Sequence, residues 1–261
     1  MHSLQFSHPL QFTAAETSQG VSDRSFTLGQ VTGVLWSPPD AAPNAPLMLM
    51  GHGGGLHKRA PGLVARARAM VTMHGYHVAA IDVQGHGDRP RSDADQRWVD
   101  EMLAARAPGQ SLAPSITAYN GSLADRTVPE WQATIDALQA EGIGADGPVG
   151  YQGMTLASAI GIPLAAADHR IRAAIFGGVF VYDVILEAAR RVTIPLEFLM
   201  PLDDPEIDRA SGLTVFDAFG STEKTLIGFP GSHFRVPEAQ IDTRFFPRQF
   251  AAAQPAPSTR P

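Results

Sequence analysis

The chain contains no cysteine, so disulfides, thiolate nucleophiles and thiolate metal sites are all excluded. It also lacks any run of basic residues: 20 lysines and arginines stand against 26 acidic residues, a formal charge of −6. Nucleic acid and anionic membrane surfaces are therefore not expected as partners. No stretch approaches the roughly 20 apolar residues needed to cross a bilayer. The opening "MHSLQFSHPLQFTAAETSQG" has no basic segment followed by an apolar run, so a soluble, cytoplasmic protein is expected. Neither a G-x-G-x-x-G pattern nor a P-loop occurs, which argues against nucleotides, and no cofactor is expected. His52, His57 and His86 lack acidic partners at metal-ligand spacing, so no metal site is expected. The expected partners are a small-molecule substrate and, at most, a second copy of the chain in a homodimer.

What is present is enough apolar material, 44% of 261 residues, to fill one large α/β core. No internal repeat is found. Short apolar runs alternate with helical patterns, the mark of βαβ units and a mostly parallel sheet with helices on both faces. "RSFTLGQVTGVLWSPPD" gives two extended runs about Gly29-Gln30, an antiparallel hairpin. Further strands are expected at Pro46 to Met50, His77 to Asp82, Pro148 to Gln152, Ile171 to Gly178, Pro195 to Met200 and Lys224 to Phe229.

Helices are expected over "LVARARAMVTMHG", with Val64, Ala67, Met70 and Val71 as its apolar stripe, and over Asp93 to Arg106 capped by Ser92. A third is expected over "TVPEWQATIDALQAEG", where Thr127 and Glu130 have capping-box spacing. Others follow Thr155, with a kink at Pro163, and cover Val184 to Arg191, Ser211 to Ala218 and Asp242 to Ala252. Residues 1–252 read as a single domain in which about 88–127 forms a lid-like insertion. The proline- and alanine-rich end, residues 253–261, reads as a disordered tail.

Four segments carry chemistry-bearing residues at strand ends. "GHGGG" (Gly51 to Gly55) follows one buried strand, and its glycines let backbone N–H groups approach a ligand. Gly153-Met154-Thr155-Leu156-Ala157 lies at a strand-to-helix turn, Asp203-Asp204 follows "PLEFLM", and "GFPGSHF" puts His233 in a loop after the last strand. In this order and spacing, over residues 26–250, the chain resembles the α/β-hydrolases, closest to the dienelactone-hydrolase and carboxylesterase-like members.

The resemblance implies an α/β-hydrolase fold and a nucleophile–acid–histidine triad made of Thr155, Asp204 and His233. Asp203 is the alternate acid. It further implies an oxyanion hole from the Leu156 N–H with an N–H of Gly53 or Gly54. The elbow departs from the family: G-x-S-x-G becomes G-M-T-L-A, so a secondary alcohol stands where serine is usual. Ser158, three residues on, is expected to pack along the helix rather than substitute for it. Trp98, Met102, Tyr119 and Phe180 are weaker candidates for a substrate pocket, Tyr119 and Phe180 from assumed loop positions.

The implied activity is hydrolysis of an ester, thioester or lactone through an acyl–Thr155 intermediate. Two rivals keep the fold: a lyase, cyclase or isomerase in which His233 moves a proton without an acyl-enzyme, and a non-catalytic binder. Thr155 as a plain helix N-cap is the structural alternative.

Overall fold

In the computed structural model of the chain, residues 9–106, 109–236 and 244–252 are described. An antiparallel meander comes first: β1 (Gln11–Ser18), β2 (Val21–Leu28) and β3 (Val31–Ser37). Gly29 takes a positive φ of 59° to close the turn between the last two, where the glycine was expected to do so. Six further strands run parallel: β4 (Leu47–Met50), β5 (His77–Ile81), β6 (Val149–Gln152), β7 (Ile171–Gly177), β8 (Leu196–Pro201) and β9 (Lys224–Phe229). Between and after them lie α1 (Pro61–His74), α2 (Asp93–Arg106), α3 (Ala113–Ala140), α4 (Leu156–Ala167), α5 (Asp183–Arg191), α6 (Arg209–Ala218) and α7 (Phe245–Ala252).

The strands join one sheet in the order β1-β2-β3-β5-β4-β6-β7-β8-β9. The reason they do so is period-2 burial on both faces. In β4, Leu47 and Leu49 enter the core beneath α3 and α4, whereas Met48 and Met50 enter the core beneath α1 and α7. β7 repeats the split, with Ala174 and Phe176 on the first side and Ala173 and Ile175 on the second. β5 lies on one side of β4 and β6 on the other, so the connections diverge there. A crevice outside the carboxyl ends of β4 and β6 is the expected ligand position in such a sheet.

Two elements differ from the sequence reading. β1 is not anticipated, because every one of its side chains is exposed and its pattern carries no apolar alternation. α3 begins at Ala113, not at Thr127, and runs through Pro129. The capping box is therefore absent. Thr127 is buried inside the helix, and Glu130 instead takes a bidentate contact from Arg89 at 2.7 Å. "TVPE" imitates a helix start because proline is favoured in a first turn, and only tertiary packing reveals the preceding turns. The second half of the expected lid is thus the first half of a long core helix. α7 starts at Phe245; residues 237–243, like the expected tail at 253–261, lie outside the described residues.

A buried ionic anchor fixes the loop after β4 to the end of β5. Asp82 accepts hydrogen bonds from the Lys58 N–H and ammonium, the Asp88 N–H and the Thr32 hydroxyl. Burial opposes ionisation of Asp82, but these donors outweigh it and hold the carboxyl below its ordinary 3.8. Gly87 packs directly on the carboxylate, where a Cβ would stand 2.3 Å from it. Asp82→Ala leaves the buried Lys58 ammonium with only the exposed Asp88 carboxylate, 2.6 Å away, and leaves the Lys58 and Asp88 N–H groups unpaired, so a loss of about 3 kcal/mol is expected in urea unfolding. The wild-type contribution is present above pH 3.8 and is lost as pH falls further, because the folded pKa is the lower one. An unfolding free energy of Asp82→Ala equal to wild type would refute the anchor.

Candidate active site

The carboxyl ends of β4, β6, β8 and β9 bring the four segments to one rim of the sheet around a cavity of about 770 Å³. Thr155 ends the turn between β6 and α4 at φ 56° and ψ −117°, with no side-chain cap bond to the helix. An N-cap has extended backbone and an accepting hydroxyl, so Thr155 is not acting as one. A positive φ at a β-branched residue is a strained conformation, of order 1–3 kcal/mol. It is held in place because the Thr155 N–H donates to the Gly177 carbonyl at 3.0 Å. Ser158 reinforces the turn: its Oγ lies 2.9 Å from the Gly153 and Gly177 carbonyls and accepts the Gly177 N–H at 2.8 Å. Ser158 is buried and fully engaged in that bracing.

Ala157 stands where the family motif has its second glycine, and the structure compensates on the facing side. A Cβ on Gly51 would fall 2.5 Å from the Ala157 methyl, and one on Gly153 would fall 2.4 Å from it. The space needed for the methyl is provided by these two glycines.

Asp204 and His233 meet across the neighbouring strand ends. His233 donates Nδ1–H to Asp204 Oδ2 at 2.6 Å, leaving Nε2 as the acceptor of the ring. The same oxygen accepts the His233 N–H, while Oδ1 accepts the N–H groups of Glu206 and Ile207 at 2.9 Å. Burial alone would raise the Asp204 pKa, but the N–H donors of His233, Glu206 and Ile207 prevail and hold it below 3.8. Asp203 points elsewhere: its side chain is 65% exposed and accepts the Gly231 N–H at 3.2 Å.

Thr155 and His233 both border Gly178. A Cβ there would lie 3.2 Å from His233 Cβ and 3.7 Å from Thr155 Cγ2, so the threonine methyl faces this side. The hydroxyl faces Gly53 instead, where a Cβ would lie 3.0 Å from Oγ1. Among the described residues, Thr155 Oγ1 makes no hydrogen bond to His233. The N–H groups of Leu156, Gly53 and Gly54 have no acceptor among the described residues, and all three residues line the cavity.

His52 organises that glycine loop. Its Nε2 accepts the Val83 N–H at 3.1 Å, so Nδ1 carries the proton and lies 3.0 Å from the Gly53 carbonyl. Burial pushes its pKa down to about 4, which keeps the ring neutral. Among the described residues no group of three potential ligands could hold a metal ion, and no helix is long and apolar enough to cross a membrane.

Met102, Tyr119 and Phe180 line the cavity, Tyr119 from within α3 and not from a loop. Trp98 is not among the lining residues; its neighbour Val99 takes that place, and Trp98 packs against the core beneath α3. Leu63, Ile116, Gln152 and Phe234 also form the wall, although the sequence reading assigns none of them to a pocket. Of these, Gln152 alone carried a readable signal, a polar side chain closing an otherwise apolar strand.

No family model and no curated protein sequence matches the chain. Solved structures do. One is the polyethylene-glycol-bound complex of a cold-adapted esterase from an Arctic intertidal metagenomic library. It is 30% identical, with 87% of this chain and 92% of that chain covered and a TM-score of 0.69. A native structure of a cold-adapted esterase from such a library is 25% identical, covers 92% and 99%, and has a TM-score of 0.67. The acetyl xylan esterase of Paenibacillus sp. R4, 13% identical over 94% and 89% with a TM-score of 0.64, shares the fold. With this sheet and these neighbours, all of them esterases, the chain belongs to the α/β-hydrolase family.

Proposed function

We propose that the protein hydrolyses carboxylic esters, thioesters or lactones, in the manner of the dienelactone-hydrolase and carboxylesterase-like members of the family. Thr155 is the nucleophile, His233 the base and Asp204 the acid. His233 Nε2 takes the Thr155 proton as Oγ1 attacks the substrate carbonyl. The oxyanion then forms beside the N–H groups of Leu156 and the Gly53-Gly54 stretch, donors that strengthen as charge develops. His233 passes the proton to the leaving group and next activates the water that releases the acid, while Asp204 holds the imidazole in one tautomer. α2 acts as the cover of the site together with the first turns of α3, since Val99 and Met102 of α2 and Tyr119 of α3 lie on its wall.

The observation that carries this reading is the backbone of Thr155. A β-branched residue kept at φ 56° beside a His233 hydrogen-bonded to the Asp204 carboxylate, with N–H groups at the same rim that have no acceptor among the described residues, is strain concentrated where an alcohol would have to be presented. Attack requires Thr155 to turn about χ1, bringing Oγ1 from Gly53 toward His233. The present facing of the methyl favours one second reading, in which His233 moves a proton of an enolisable substrate and Thr155 takes no covalent part.

Kinetics separate the two. Thr155→Ser, which removes the methyl, is expected to keep or raise turnover of 4-nitrophenyl acetate, and Thr155→Ala and His233→Ala to abolish it. Full activity in Thr155→Val would favour the second reading. Asp204→Asn sets an amide NH2 against donors that both carboxylate oxygens now accept and removes the charge that orients the imidazole, so kcat is expected to fall on the order of 10³–10⁴-fold, with circular dichroism checking that the variant is folded. The same substitution at Asp203 is expected to change kcat less than about twofold; the reverse ranking would reassign the acid.

A further inference from the structure

Side chains along β6 alternate across the sheet. Tyr151 packs against Trp131 and Phe176 on the α3 side, so Gln152 turns to the opposite face. There it stands in register with Met50 of β4 and Ile175 of β7, one amide between two apolar side chains. All three line the cavity on the side of α1, together with Leu63 and Met154. Gln152 is 7% exposed, and its Oε1 is buried without a hydrogen-bond partner among the described residues. A buried amide left unpaired is destabilising, and methionine or leucine would fill this row without that penalty. Gln152 and Thr155 line the same cavity, at the two ends of the turn that leads from β6 into α4.

We infer that this α1-side arm of the cavity binds a hydroxyl group of the substrate through Gln152, close to the scissile bond. The inference rests on the ester-hydrolase reading and names its substrate class: esters carrying a neutral hydroxyl. The chemistry of the amide selects that group. An amide offers an acceptor and two donors, and a hydroxyl both donates and accepts, so each satisfies the other. A carboxylate would meet the amino side only and set its charge against Oε1. A hydrocarbon chain would leave the amide unpaired. A site built to pair with a hydroxyl discriminates against the analogue lacking it.

The hydroxyl can belong to the acyl group or to the alcohol, and two substrate pairs tell them apart. Hydrolysis is followed by pH-stat for ethyl 3-hydroxybutyrate against ethyl butyrate, and for 2-hydroxyethyl butyrate against propyl butyrate. In one pair the wild type is expected to favour the hydroxylated ester roughly tenfold in kcat/KM, and Gln152→Met to bring that ratio near one. Gln152→Leu is read in the same way if the methionine variant does not fold. Ratios equal in wild type and variant for both pairs overturn the inference. If wild type hydrolyses neither these four esters nor 4-nitrophenyl acetate, the ester-hydrolase reading fails on its own account. Where none of the four is hydrolysed, binding decides the inference, by calorimetric titration with the four unreactive amides isosteric with these esters. Tighter binding of a hydroxylated amide that is lost in Gln152→Met supports it, and equal affinities overturn it.

Discussion

The site depends on one turn, the reversal of the chain between β6 and α4 that holds Thr155 at φ 56°. Nothing intrinsic to threonine favours that conformation. It persists because the Thr155 N–H is tied to the Gly177 carbonyl and because Ser158 bridges the ends of β6 and β7 from within α4. Gly51 and Gly153 make room for Ala157, so the helix can approach the sheet without the second glycine of the motif. If the turn relaxed to a negative φ, the hydroxyl would cap α4 and the cavity would lose the alcohol at its rim.

Charge around that turn is distributed by hydrogen bonding and burial rather than by the overall charge of −6. Asp204 stays ionised because N–H groups of His233, Glu206 and Ile207 converge on it, and this fixes which nitrogen of His233 faces the cavity. His52 is held neutral by burial and spends both ring nitrogens on the backbone. The Lys58–Asp82 pair anchors the far end of the same glycine loop. The glycine loop, whose Gly53 and Gly54 N–H groups have no acceptor among the described residues, is thereby pinned at both ends, the preorganisation that the proposed oxyanion role would use.

Much of this was legible in the sequence, and for identifiable reasons. The parallel strands are short, wholly apolar and punctuated by glycine, so both their positions and the burial of the sheet follow from periodicity. The glycine that ends the quoted "LVARARAMVTMHG" stretch, Gly75, is the left-handed cap of α1 at φ 69°. Asp204 and His233 could be nominated only through the family resemblance, since a strand-end aspartate and a loop histidine are unremarkable alone. β1 escaped notice because exposed strands have no apolar alternation, and the true start of α3 was masked by a Thr-Val-Pro-Glu sequence that mimics a cap. Trp98 was misplaced because an apolar stripe does not say which part of it meets a cavity. The direction of the Thr155 hydroxyl is a rotamer, which no sequence pattern encodes.

The most direct measurement is intact-protein mass spectrometry after reaction with an alkyl fluorophosphonate, followed by peptide mapping of the adduct. The account predicts one phosphonyl group per chain, located on Thr155 and absent when His233 is replaced by alanine. A protein that turns over ester while remaining unmodified, or that carries the label on another residue, would contradict it.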